Sequence, residues 1–312
     1  MTIEDTIGTI TKHADIVLDD TLTTPREVWL EKRREGIGGS DAAASLGLNP
    51  WKSPYALFED KAHGIASDED NERMEWGRRL EAPIVQAYGE RTSTEVSPYP
   101  VMLRSKDYPW MQVNLDAVGT DLAVEAKNVG LRMAGEWNDG AVPDHYMLQG
   151  MHELAVTGLP MVVFAVLIGG QELRLIEVER NETLIDDVIE QEKRFWDLVE
   201  SDTAPGIDGT ASTAEALKLR YPLPEPGAEV ELIPEEILPL IETRARLKIA
   251  EKQAKEDLVS IENGIKAMLG NAEIGTVNGI AVVSWKRVER AGYTVAPTEY
   301  RTIRVPSNKK GK

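Results

Sequence analysis

Residues 111–129, MQVNLDAVGTDLAVEAKNV, carry the decisive pattern. Two short strand-like runs, MQVNLDAV and LAVEAKNV, flank the turn Gly119-Thr120-Asp121, which predicts a β-hairpin. Side chains alternate along a strand, so Glu125 and Lys127 share a face, and Asp116 at the end of the first run meets them across the turn. The two carboxylates and the backbone carbonyl of Ala126 form an all-oxygen donor set suited to Mg²⁺, with Mn²⁺ as the alternative. A neighbouring lysine can hold an attacking water or steady charge on a phosphate. Metal and fixed cation together are what phosphodiester hydrolysis needs. In a chain with 53 acidic residues a D-x(8)-E-x-K match is a weak signal by itself. The plain alternative is a cross-strand ion pair on a solvated sheet face. Leu122, Val124 and Val129 count against that, because charges are costly to embed in an apolar strand.

Working outward, a helix is expected over about Asp144–Thr157, then strands MVVFAVLI and ELRLIEVE joined through Gly169-Gly170, then an acidic helix capped by Asn181 that carries Phe195 and Trp196 inward. Upstream, a helix is expected from Arg26 to Glu35. The run GIGGSDAAASLG places Ser40 at an N-cap, Ser53-Pro54 starts another helix, and Asn71 caps the longer NERMEWGRRLEAPIVQAYGERT. Helices, hairpin, helix, two strands and helix describe a mixed α/β sheet flanked by helices. Residues 1–25 read as a loosely attached acidic arm and 26–208 as the core. Residues 209–312 read as an extension: a Pro/Gly linker, a long charged helix over Pro234–Leu269, and a hairpin at Asn278-Gly279.

The composition removes several chemistries. With no cysteine among 312 residues there is no disulfide, thiol catalysis, thiolate zinc site or iron–sulfur cluster, and a reducing cytoplasm fits. No apolar run approaches the roughly 20 residues that span a bilayer, and the N-terminus has no signal-peptide pattern. His145 and His152 lie seven apart without further partners, which argues against zinc. A net charge of −18 argues against DNA binding over the whole surface. From Trp285 to Lys312, however, eight basic residues face two acids, leaving the rest of the chain at −24. An acidic body with a basic end can admit DNA along one lane and repel it elsewhere.

The runs RREGIGGSDAAASLGLNPWKSPYALFEDK, NERMEWGRRLEAPIVQAYGERT, YPWMQVNLDAV…LAVEAK and VPDHYMLQGMHELAVTG, in that order, resemble the YqaJ group of viral recombination nucleases, which is related to lambda exonuclease. The resemblance covers roughly residues 26–200 and implies a PD-(D/E)XK, restriction-endonuclease-like core. It matches Asp116 and Glu125 to metal-binding carboxylates, Lys127 to the catalytic lysine and Glu81 to a helical acid facing the metals. Gln149 matches a glutamine that positions the water or the lysine, with Tyr146 one turn earlier. Arg33 and Ser40 match the residues that grip the 5′-terminal phosphate, with Arg34 as the alternative to Arg33. A Gly-Gly turn at a helix start also exposes N–H groups to an anion, and an arginine supplies a bidentate clamp.

The resemblance further implies a 5′-to-3′ exonuclease on linear double-stranded DNA, with two metal ions per active site, which leaves 3′ single strands for phage-type recombination. With it come a ring-shaped homo-oligomer, a RecT-type single-strand annealing partner, and a cytoplasmic phage or prophage protein. An endonuclease of the same fold and a non-catalytic acidic scaffold are the competing readings.

Overall fold

A computed structural model describes residues 2–66, 72–225 and 227–289. The chain forms two units, 1–222 and 223–312. The first begins with α1 (Ile3–His13), β1 (Ala14–Leu18), α2 (Arg26–Arg34), β2 (Ile37–Gly38), α3 (Gly39–Ser45), α4 (Pro54–His63) and α5 (Glu72–Thr92). Strands β3 (Val96–Pro98), β4 (Met102–Ser105), β5 (Met111–Asn114), β6 (Ala117–Gly119) and β7 (Leu122–Val129) follow. The unit closes with α6 (Asp144–Thr157), β8 (Met161–Ile168), β9 (Glu172–Glu179), α7 (Glu182–Glu200) and α8 (Ala211–Arg220).

The central sheet runs β3-β6-β7-β8-β9, with only β7 and β8 parallel. A parallel pair needs a crossover, and α6 supplies it. Side chains of β7 alternate between two cores. Ala123 and Val129 join the large cluster containing Leu148, Met151 and Leu154 of α6, whereas Leu122 and Val124 join Ile84, Val85 and Tyr88 of α5. The mixed sheet flanked by helices is the layer arrangement expected from the order of elements in the sequence.

The run expected to be one strand before the Gly119 turn is divided between two sheets. β5 pairs with β4 and β2, β6 pairs with β3 and β7, and Leu115-Asp116 lies at the change-over. Asp116 therefore sits at a break in pairing, where its side chain is free to reach the exposed edge of β7.

The N-terminal arm is also corrected, because residues 3–18 belong to the folded unit. Thr2 and Asp5 form a capping box, Ile10 and Thr6 are fully buried, and β1 pairs antiparallel with β4. The Thr6 hydroxyl accepts the Asp121 N–H at 2.9 Å, so α1 supports the turn between β6 and β7. The expected boundary at 208/209 moves as well. Within the supposed linker, Thr210 caps α8, whose buried Thr213 donates to the Ser53 hydroxyl at 2.8 Å. The Asn71 cap lies outside the described residues, as does the tail from 290.

The second unit holds α9 (Pro234–Leu269) and the antiparallel pair β10 (Ile274–Val277) and β11 (Ile280–Ser284). Asn278 and Gly279 both adopt positive φ, as a two-residue hairpin turn requires. Among the described residues α9 buries none of its side chains.

Candidate active site

Glu125 and Lys127 project from β7 toward α6, and Glu125 is only 5% exposed. Lys127 Nζ lies 2.6 Å from Glu125 Oε1 and donates to Gln149 Oε1 at 3.0 Å. Gln149 Nε2 in turn donates to Glu125 Oε1 at 2.6 Å. The Tyr146 ring stands 4.7 Å from the ammonium. Beyond Val124, β6 no longer covers β7, and the Ala126 N–H on that open edge donates to Asp116 Oδ2 at 2.8 Å. The hairpin thus unites the residues expected to meet there, and α6 adds Gln149 and Tyr146.

The electrostatics describe a crowded acidic centre. Burial, then Glu125 and Glu81, push the Asp116 carboxyl well above its ordinary range, against Lys127 and the Ala126 N–H. Burial and Glu125 likewise raise Glu81, which α5 brings within reach of the group. Burial alone would depress the Lys127 ammonium, but Glu125, Asp116 and Tyr146 outweigh it and hold the charge firmly on.

Glu153 escaped the sequence reading. It is 1% exposed, accepts Gln149 Nε2 at 2.9 Å through Oε1, and leaves its buried Oε2 without a partner among the described residues. Burial and then Glu125 keep its carboxyl well above the usual range. With Glu125 and Glu153 both accepting from Nε2, the Gln149 amide is fixed with its oxygen toward Lys127. The available signal was the i, i+4 spacing of Gln149 and Glu153, which puts both on one face of the helix.

The second cluster lies beside α3. Arg33 donates to the Ser40 hydroxyl at 2.9 Å and to Asp41 at 3.0 Å. Arg34 turns instead to Asp60 at 3.3 Å, so Arg33 is the arginine facing Ser40. Asp41 also pairs with Lys61 at 2.8 Å and Lys52 at 3.5 Å. Ser40 is not the N-cap. Gly38 is, and the Asp41 carboxylate accepts the Gly38 N–H at 3.4 Å, so Ser40 is left to Arg33. A Cβ on Gly39 would come within 3.2 Å of Glu153 Oε1, which puts this cluster directly against the Glu125–Lys127–Gln149 group.

Asp41 is the keystone of the second cluster. Burial works against its charge, but Arg33, Lys61 and Lys52 together hold its carboxyl well below the ordinary value of 3.8. Lys61, the surplus cation, is lowered to about 8 by burial despite Asp41. We expect Asp41→Asn to cost about 3 kcal/mol, since it leaves a buried ammonium without its carboxylate. A depressed carboxyl contributes stability above its unfolded value and loses it as pH falls toward the folded one. Wild-type melting temperature should therefore fall more steeply below about pH 4 than that of Asp41→Asn. Parallel slopes in thermal melts would contradict the assignment.

His152 is wholly buried between Glu192 and the Gln112 carbonyl, both at 2.7 Å. His145 stacks against Tyr146. Among the described residues no helix is long and apolar enough to cross a membrane.

Comparisons with known proteins bear on this geometry. The sequence profile of the YqaJ-like viral recombinase domain matches residues 28–160. The uncharacterized protein YqaJ of Bacillus subtilis (strain 168) is 34% identical over 286 residues, which cover 89% of this chain and 88% of that protein. Protein D345L of African swine fever virus (strain Badajoz 1971 Vero-adapted) is 38% identical over 55 residues, 18% of this chain and 16% of its own. Among solved structures, an alkaline exonuclease from Laribacter hongkongensis is similar over 57% of this chain and 94% of its own, at 17% identity and a TM-score of 0.48. The match to the Bacillus protein spans most of both chains, so this chain belongs to the YqaJ-like viral recombinase family.

Proposed function

We propose that the protein is a metal-dependent nuclease that degrades the 5′-ended strand of linear double-stranded DNA. The observation that carries this reading is the buried group Asp116, Glu125, Lys127 and Gln149, set against the Arg33–Ser40 cluster. One cluster suits a scissile phosphate and the other a terminal one. Membership of a viral recombinase family supports a role in recombination. A homo-oligomeric ring and a RecT-type annealing partner for the 3′ strand belong to the same proposal.

The residues fit a hard divalent cation by chemistry and charge. Asp116, Glu125 and Glu81 offer oxygen donors, and their mutual repulsion exceeds what Lys127 alone offsets. Among the described residues no three such side chains converge into a finished metal site. Glu125 is engaged by Lys127 and Gln149, and Asp116 by the Ala126 N–H. Bound by Asp116, Glu125, Glu81 and the Ala126 carbonyl, Mg²⁺ or Mn²⁺, as two ions, would polarise the phosphate and acidify water. The chain's own groups do the remaining work. Lys127 presents a fixed positive charge to the reacting phosphate, Gln149 aims that ammonium, and Glu153 aims Gln149. Arg33 and Ser40 hold the terminal phosphate, setting how far the strand enters.

The test is digestion of a linear duplex labelled at one 5′ end, with and without a 5′ phosphate, in Mg²⁺. Wild type should degrade the phosphorylated end faster, and Arg33→Ala should abolish the difference. Equal wild-type rates on both ends would remove the pocket from the reading. Efficient cutting of closed circles would replace an end-directed enzyme with an endonuclease.

A further inference from the structure

The loop between α3 and α4 carries a tryptophan that neither cluster uses. Trp51 is 54% exposed, yet it is held in place on both sides. Asn49 Oδ1 accepts the backbone N–H groups of Trp51 and Lys52 at 2.8 and 2.9 Å, fixing the turn. The indole meets the His145 ring nearly at right angles, with centroids 5.0 Å apart. His145 lies 4.1 Å from the Tyr146 ring, which faces Lys127. In the other direction Lys52 pairs with Asp41, the carboxylate that also binds Arg33. One exposed indole therefore lies between the two proposed phosphate sites.

We propose that Trp51 and His145 form a nucleobase platform that takes the base of the 5′-terminal nucleotide. This rests on the nuclease reading above, since the nucleotide between a terminal and a scissile phosphate is the terminal one. An exposed, immobilised aromatic offers a π-face to any base without sequence preference, and ordering it costs little on binding. His145 adds a polar handle, because its Nε2 is buried and has no partner among the described residues. Burial also holds the imidazole below its ordinary range, so a neutral ring sits near Lys127. Arg33 and Ser40 bind phosphate alone; the platform extends recognition to the whole nucleotide and seats the strand end before cleavage.

The experiment measures equilibrium binding, in EDTA to prevent cleavage, of short 5′-phosphorylated duplexes carrying adenine or an abasic residue at the 5′-terminal position. Wild type should bind the adenine end about tenfold more tightly than the abasic end. Trp51→Ala should bind both at the weaker level, and Trp51→Phe should keep most of the difference. Discrimination retained in full by Trp51→Ala, or absent from wild type, overturns the platform. So does discrimination that follows the second base instead of the first. Digestion of the same duplexes in Mg²⁺ separates the two levels. Wild type that cleaves but ignores the terminal base loses only the platform, whereas wild type that neither binds nor cleaves loses the nuclease reading with it.

Discussion

Asp116→Ala should lower cleavage by more than about a hundredfold, the upper end for partners that merely orient a metal ligand, while the protein melts no earlier than wild type. The second half of that expectation makes the test sharp. Asp116 is a carboxyl shielded from solvent beside Glu125 and Glu81, and its Oδ2 accepts the Ala126 N–H at 2.8 Å. Removing it relieves repulsion between acids and gives up one modest hydrogen bond, so stability should hold or rise. A residue kept for structure would behave in the opposite way, costing stability and sparing the rate. Added Mg²⁺ should raise the wild-type melting temperature by binding the folded state, and should raise that of Asp116→Ala much less. Retention of more than about a tenth of the activity, or an unchanged response to Mg²⁺, would remove Asp116 from the metal site; a lost ligand forfeits the Lewis acid itself.

Much of this was legible in the sequence where the signal was local. The strands Met161–Ile168 and Glu172–Glu179 and the helices Asp144–Thr157 and Pro234–Leu269 have the bounds read from periodicity and caps. The pairing of Glu125 with Lys127 follows from strand alternation alone. What misled were features decided by partners distant in sequence. MQVNLDAV has the texture of one strand, and only the competing pairings of β5 and β6 divide it. The N-terminal helix carries a capping box and isoleucines at 3, 7 and 10, but its acidic surroundings masked that stripe. Ser40 has the chemistry of a cap, but Gly38 holds the N-cap position, and Asp41, its carboxylate kept charged by three cations, accepts the Gly38 N–H. Glu153 resembled any helical acid until α6 was packed against β7 and α3. Polar residues gain their function from what they face, and a single chain read in order does not display that.

Lys127→Met should lower the single-turnover rate by roughly a hundredfold or more, about 2.7 kcal/mol on the barrier. Methionine keeps the apolar stem beside Tyr146 and removes only the charge. From sequence alone, Lys127 could pass for a surface partner worth about 0–1 kcal/mol. Its burial against Glu125 and Gln149 changes that estimate, because breaking a buried pair costs about 3–5 kcal/mol, and the side chain is only 15% exposed. Melting temperature therefore no longer separates a catalytic lysine from a structural one, and both readings predict an earlier melt. The rate does separate them. It should be measured well below the melting range, at saturating DNA and Mg²⁺, so that folded protein is compared with folded protein. If Lys127 only neutralises Glu125, a divalent cation at the carboxylates replaces that service and the rate recovers as Mg²⁺ rises. If it supplies charge to the reacting phosphate, saturating Mg²⁺ restores stability and leaves the rate low. Lys127→Arg should stay slow too, because a planar guanidinium cannot take the place of a compact ammonium between Glu125 and Gln149. A Lys127→Met protein that reaches the wild-type rate at high Mg²⁺ would make this residue a counter-ion, and phosphate activation would then have to come from elsewhere in the site.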